Sequence, residues 1–194
     1  MEVGRSMSSE DEATSGGLAE IFLKPSATLS KWYIAIGTWG FLLAILNMAG
    51  QIHPTYRVSW GGLLTFEALA DAFGNKDDAP LFVLGDGVFI AACLGLLFLG
   101  LQSINTSVEG GLVAFARSLI LNDTWPALVF SGGGFMRFTA AWCLLLGFAF
   151  YIGYSALHMA WIDLGVYSVS ITLVAFGFAL NAASRAPPGD ETVM

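Results

Sequence analysis

Two histidines, His53 and His158, are the chain's whole supply of imidazole. Around them in the polar segments lie Glu67, Asp71, Asp77, Asp78 and Asp163. Imidazole and carboxylate together suit zinc, copper or iron, or a proton relay at a quinol site. His53, His158, Glu67 and Asp71 are therefore the candidate catalytic residues of an extracytoplasmic His/carboxylate site. The spacing adds little, because neither HExxH nor ExxH occurs, and His158 and Asp163 are five apart, off a common helical face. Solvated loop charges are the plainer reading. His158, beside Met159 and Trp161 at the end of an apolar run, has a second use as an axial ligand to haem or chlorophyll.

Asp86 raises a different question. It stands in "LGDGVF", inside an apolar run, where an ionised carboxylate is expensive and is usually paired or functional. One reading makes it a proton or cation site for transport. The other places it at a helix N-terminus, where the helix dipole favours a carboxylate. Both thiols, Cys93 and Cys143, lie in apolar runs with no CxxC spacing and suit packing better than redox chemistry.

The elements that must position these groups are set by composition. Of 194 residues, 56% are hydrophobic and 12% charged, and the mean hydropathy is +0.69. A soluble domain carries about 25% charged residues; half of that leaves too little polar surface for a particle in water. The expected fold is an all-α integral membrane protein with the lipid bilayer as its solvent. A net charge of −7 and the lack of any basic run argue against nucleic acid.

Four stretches reach the roughly 20 apolar residues that a span requires: about 31–50, 81–101, 138–157 and 164–183. Two shorter amphipathic or interfacial helices complete the expected set. One is residues 61–74, where Leu63, Phe66, Ala70 and Phe73 fall on one helical face and Glu67 and Asp71 on another. It should lie along the membrane with its phenylalanines inward, and Pro80 should open the next helix. The other covers residues 112–130, where Arg117, Asp123 and Pro126 interrupt a would-be span. Residues 1–20 read as a disordered acidic cytoplasmic tail, 21–185 as a single transmembrane helical domain, and 186–194 as a short polar tail.

With four spans and both termini cytoplasmic, Arg5, Lys24, Lys31, Arg117, Arg137 and Arg185 fall inside, and only Arg57 and Lys76 outside. Read as one helix, Phe138 to Ala183 would be about 69 Å long, so "LHMAWID" must turn, with Gly153 or Gly165 as the flexible point. The stretch from Gly61 also lies loosely over the one from Gly110, Phe66 meeting Phe115, which suggests an inverted repeat of the kind transporters use.

Three functions are expected, in order of support. The first is an accessory or scaffold subunit of a larger membrane complex, such as an energy-converting one, with other membrane subunits as partners. The second is a small ion or solute transporter coupled through Asp86. The third is a membrane enzyme built on the His/carboxylate site.

Overall fold

The computed structural model describes residues 17, 19–78, 81–122, 124–129 and 134–185. Most of the tail expected over 1–20, all of 186–194, and Pro80 and Asp123 lie outside these residues. The protein is mostly helical. Its long helices are α1 (Ala27–Met48), α3 (Leu84–Ser107), α5 (Phe135–His158) and α6 (Leu164–Ala183). All four are long and apolar enough to cross a membrane. Short elements join them: β1 (Tyr56–Val58), α2 (Trp60–Leu64), β2 (Phe73–Asn75), α4 (Gly111–Ile120) and a 3-10 turn at Pro126–Leu128. The helical expectation is met, with the addition of a small antiparallel ribbon in which Arg57 stands opposite Gly74.

The chain forms two compact units. One holds the residues up to Ile45 together with Phe82–Ile120; the other holds Leu46–Leu81 and the residues from Leu121 onward.

In the first unit, α1 and α3 meet through small residues. A β-carbon on Gly37 would stand 2.6 Å from the Cys93 carbonyl oxygen, and one on Gly40 would stand 2.6 Å from Cys93 Sγ. One on Gly100 would stand 2.8 Å from the Ser30 carbonyl oxygen. Close approach of the backbones and hydrogen bonds between the two segments hold the pair. The bonds are present: Ser30 Oγ donates to Ser103 Oγ at 2.8 Å, and Ser103 Oγ donates to the Pro25 carbonyl at 2.8 Å. After α3, Gly110 and Gly111 take positive φ, and α4 comes next with Phe115 buried. Ten residues make a helix of about 15 Å, half of what a span needs.

In the second unit, α5 packs on α6 along Ala140, Ala141, Leu144, Gly147, Tyr151 and Ser155. These recur at three- and four-residue intervals, one face of a helix. Opposite them are Val166, Ser170 and Gly177. The turn between the helices does not use Gly153 or Gly165. Met159 takes the left-handed conformation (φ 52°, ψ 40°), and the amides of Met159 and Ala160 both donate to the Ser155 carbonyl. Ser155 Oγ donates to the Ala160 carbonyl, and Asp163 caps α6 by accepting the Val166 amide at 3.0 Å. Local hydrogen bonds thus support a methionine where glycine is usual.

Candidate functional site

The candidate residues fall mostly on the segment between α1 and α3. α1 ends in a Schellman motif: Gly50 (φ 67°) donates to the Asn47 carbonyl and Gln51 to the Leu46 carbonyl. Asn47 then organises the chain beyond the helix. Its Oδ1 accepts the Val58 amide at 2.9 Å and its Nδ2 donates to the Val58 carbonyl at 2.7 Å, all of it buried. One side chain so replaces a neighbouring strand for β1. Sequence reasoning passed over Asn47; the available signal was an amide in the last turn of an apolar helix.

Residues 61–74 do not form the expected amphipathic helix. α2 is capped by Ser59, whose Oγ accepts the Gly62 amide at 3.2 Å, and it stops at Leu64. Phe66 and Glu67 then take positive φ (50° and 65°), which a helix excludes. The chain doubles back so closely that a β-carbon on Gly62 would meet the Ala70 and Asp71 carbonyl oxygens at 2.5 and 2.6 Å. Phe66 is 95% exposed and Leu69 83% exposed, and Phe73 lies in β2. The apolar spacing was real, but the fold does not use it as a helical face.

His53 is held in its own turn. Its Nδ1 accepts the backbone amides of Thr55 and Tyr56, both at 3.2 Å, and its ring stacks on Tyr56 with centroids 5.0 Å apart. An Nδ1 that accepts carries no proton, so the neutral ring holds its proton on Nε2. A metal-bound histidine has the opposite arrangement, donating through the nitrogen that does not ligate. Glu67 is exposed, yet its Oε1 accepts the Ala72 amide at 3.2 Å and braces the reversal. Asp71 is exposed, and Asp78 accepts from Asn75 Nδ2 at 3.3 Å.

His158 ends α5. It is exposed and lies against Tyr154, one turn earlier, with centroids 4.4 Å apart. The loop after α1 is tied to the α5–α6 turn by the Trp161 amide, which donates to the buried Ile52 carbonyl at 3.1 Å. Tyr151 completes that end: its hydroxyl donates to the Trp161 carbonyl at 2.8 Å, and its ring meets Trp161 edge-on. No group of three or more His, Cys, Asp or Glu among the described residues could hold a metal ion.

Asp86 lies in the first turn of α3, only 3% exposed, with Oδ2 accepting the Val83 amide at 3.1 Å. That is the helix-terminus role: the carboxylate satisfies an orphan amide and faces the positive end of the dipole. Cys93 is buried against Gly40, as packing thiols are. The two stretches that align in sequence differ in structure. Gly61 and Gly62 are inside α2, whereas Gly110 and Gly111 are left-handed; Phe66 is at an exposed reversal, whereas Phe115 is helical and buried.

A scan against protein-family models finds no match, and searches of the curated proteins and of the solved structures find none either.

Proposed function

We propose that the protein is a four-span integral membrane protein with both termini cytoplasmic, serving as an accessory or scaffold subunit of a larger membrane complex. One observation carries the reading. No more than 33% of the apolar window of α1 or α5, and 17% of that of α3 or α6, is buried within the chain. Trp32, Ile36, Val88, Phe98, Trp142, Phe148, Ile171 and Phe176 are among the large apolar side chains left outside. A helix apolar on all sides belongs in lipid or against other helices. Meanwhile the groups suited to chemistry are engaged locally: His53 and Glu67 brace turns, and Asp86 holds a helix start. Six basic residues on the cytoplasmic side against two outside support the orientation.

Purification from native membranes in mild detergent tests the subunit reading. Other membrane polypeptides should co-elute in fixed ratio; a monodisperse particle of this chain alone would overturn it. Orientation is tested separately with Asp71→Cys and an impermeant thiol reagent. The new cysteine should react from outside intact cells, and reaction only after lysis would reverse the topology.

A further inference from the structure

Arg57 and Lys76 are the two basic residues of the segment between α1 and α3. Arg57 is the middle residue of β1, and Lys76 directly follows β2. Antiparallel pairing places Arg57 opposite Gly74, and the Lys76 amide continues the ladder by donating to the Thr55 carbonyl at 2.8 Å. Side chains two apart along a strand share a face, so residues 57 and 76 form a diagonal pair on one side of the ribbon. Gly74, directly across, puts no side chain between them.

The two cations converge at the end of α1. A β-carbon on Gly50 would stand 3.6 Å from Arg57 Nη2 and 3.9 Å from Lys76 Nζ, so both nitrogens lie within 4 Å of one point. Arg57 Nε is held by the Lys76 carbonyl at 3.1 Å, which fixes the plane of the guanidinium. Nη1 is buried with no hydrogen-bond partner. Among the described residues neither cation makes an ion pair; the one present joins the exposed Lys24 and Glu20. Four carboxylates stand nearby in sequence, at Glu67, Asp71, Asp77 and Asp78, and none is within bridging distance. The C-terminal end of α1 supplies only about half a negative charge, against two positive ones.

Like charges on one face of a ribbon repel, and a half-buried guanidinium without an anion is costly. A chain with eight basic residues and a net charge of −7 has nonetheless set two of them side by side. We propose that Arg57 and Lys76 form a binding site for a phosphate group. Arg57 Nη2 and the mobile Lys76 ammonium can each donate to one oxygen of the same phosphate. The same chemistry is offered by the headgroup of an anionic phospholipid and by free phosphate.

The full-length protein in neutral detergent should be titrated with phosphatidylglycerol, with phosphatidylcholine and with inorganic phosphate, reading bound adducts by native mass spectrometry and the unfolding midpoint. Lys76→Gln is the main variant, because Lys76 serves the fold through its backbone amide and carbonyl, which the change retains. Phosphatidylglycerol should bind and raise the midpoint, and the variant should weaken it by about tenfold or more, as loss of a charge-assisted hydrogen bond does. Arg57→Gln should weaken it further, while Asp77→Asn should leave it equal or tighter. Saturation by inorganic phosphate with the same variant dependence would identify a free anion as the ligand. If neither ligand binds, or if Lys76→Gln and Arg57→Gln bind as the wild type does, the proposal is overturned.

Discussion

Gly95 and Gly100 lie five residues apart in α3, and alanine at the two positions should shift stability in opposite directions. A β-carbon on Gly95 would have nothing within 4 Å. Gly95→Ala therefore gains helix propensity alone, about 0.8–1 kcal/mol. On Gly100 the same carbon would meet Ile34 Cγ1 and the Ser30 carbonyl oxygen at 2.8 Å and the Ile34 amide nitrogen at 3.1 Å. Two of those atoms are backbone, so α1 itself would have to move outward. Overpacking of that kind costs about 1–3 kcal/mol. Separation of the helices also strains the nearby bond between Ser30 and Ser103, worth about 1 kcal/mol. After the propensity gain is returned, Gly100→Ala should lose about 1–3 kcal/mol, placing the two variants about 2–4 kcal/mol apart. Reversible unfolding in mixed micelles of rising dodecyl sulfate content, followed by circular dichroism, reads the difference. Gly100→Ala as stable as the wild type, or Gly95→Ala less stable, would refute the packing of α1 on α3 by backbone contact.

Asn47→Leu should cost about 2–4 kcal/mol, because it leaves the buried amide and carbonyl of Val58 without partners; hydrogen exchange at Val58 should rise with it. Ser170→Ala should be neutral or stabilising by up to about 1 kcal/mol in the same micelle assay, since Ser170 Oγ is buried between α5 and α6 with no partner to lose. Asp86→Asn keeps an acceptor for the Val83 amide and loses the charge facing the dipole, so its stability in the micelle assay should fall by about 0.3–1 kcal/mol; Asp86→Leu, which loses both, should fall further.

The four long helices were legible in the sequence because their signal is additive. About 20 apolar residues in a row are enough, whatever packs against them. The ends of α1 and α5 agree to within a few residues and α6 matches at Leu164 and Ala183, whereas α3 continues to Ser107, past the expected end at Leu101. The second short helix was legible only as to place: the expectation over 112–130 is met by α4, Gly111–Ile120, and the 3-10 turn at Pro126–Leu128 follows as a separate element.

Tertiary structure decided the rest. Leu63, Phe66, Ala70 and Phe73 have helical spacing, yet the close crossing at Gly62, the brace from Glu67 to Ala72 and the pairing of β1 with β2 outweigh it. Periodicity reports what one face would bury if a helix formed; whether it forms depends on partners far along the chain. Composition likewise pointed to glycine for the α5–α6 turn, whereas Met159 takes the left-handed conformation because Ser155 and Ala160 hold it there. The helix-start reading of Asp86 was legible from its place at the head of an apolar run, whereas His53 as an isolated letter looked free for chemistry. Their hydrogen bonds to backbone amides two and three residues away, which depend on the turns they stabilise, show that both are engaged in the fold.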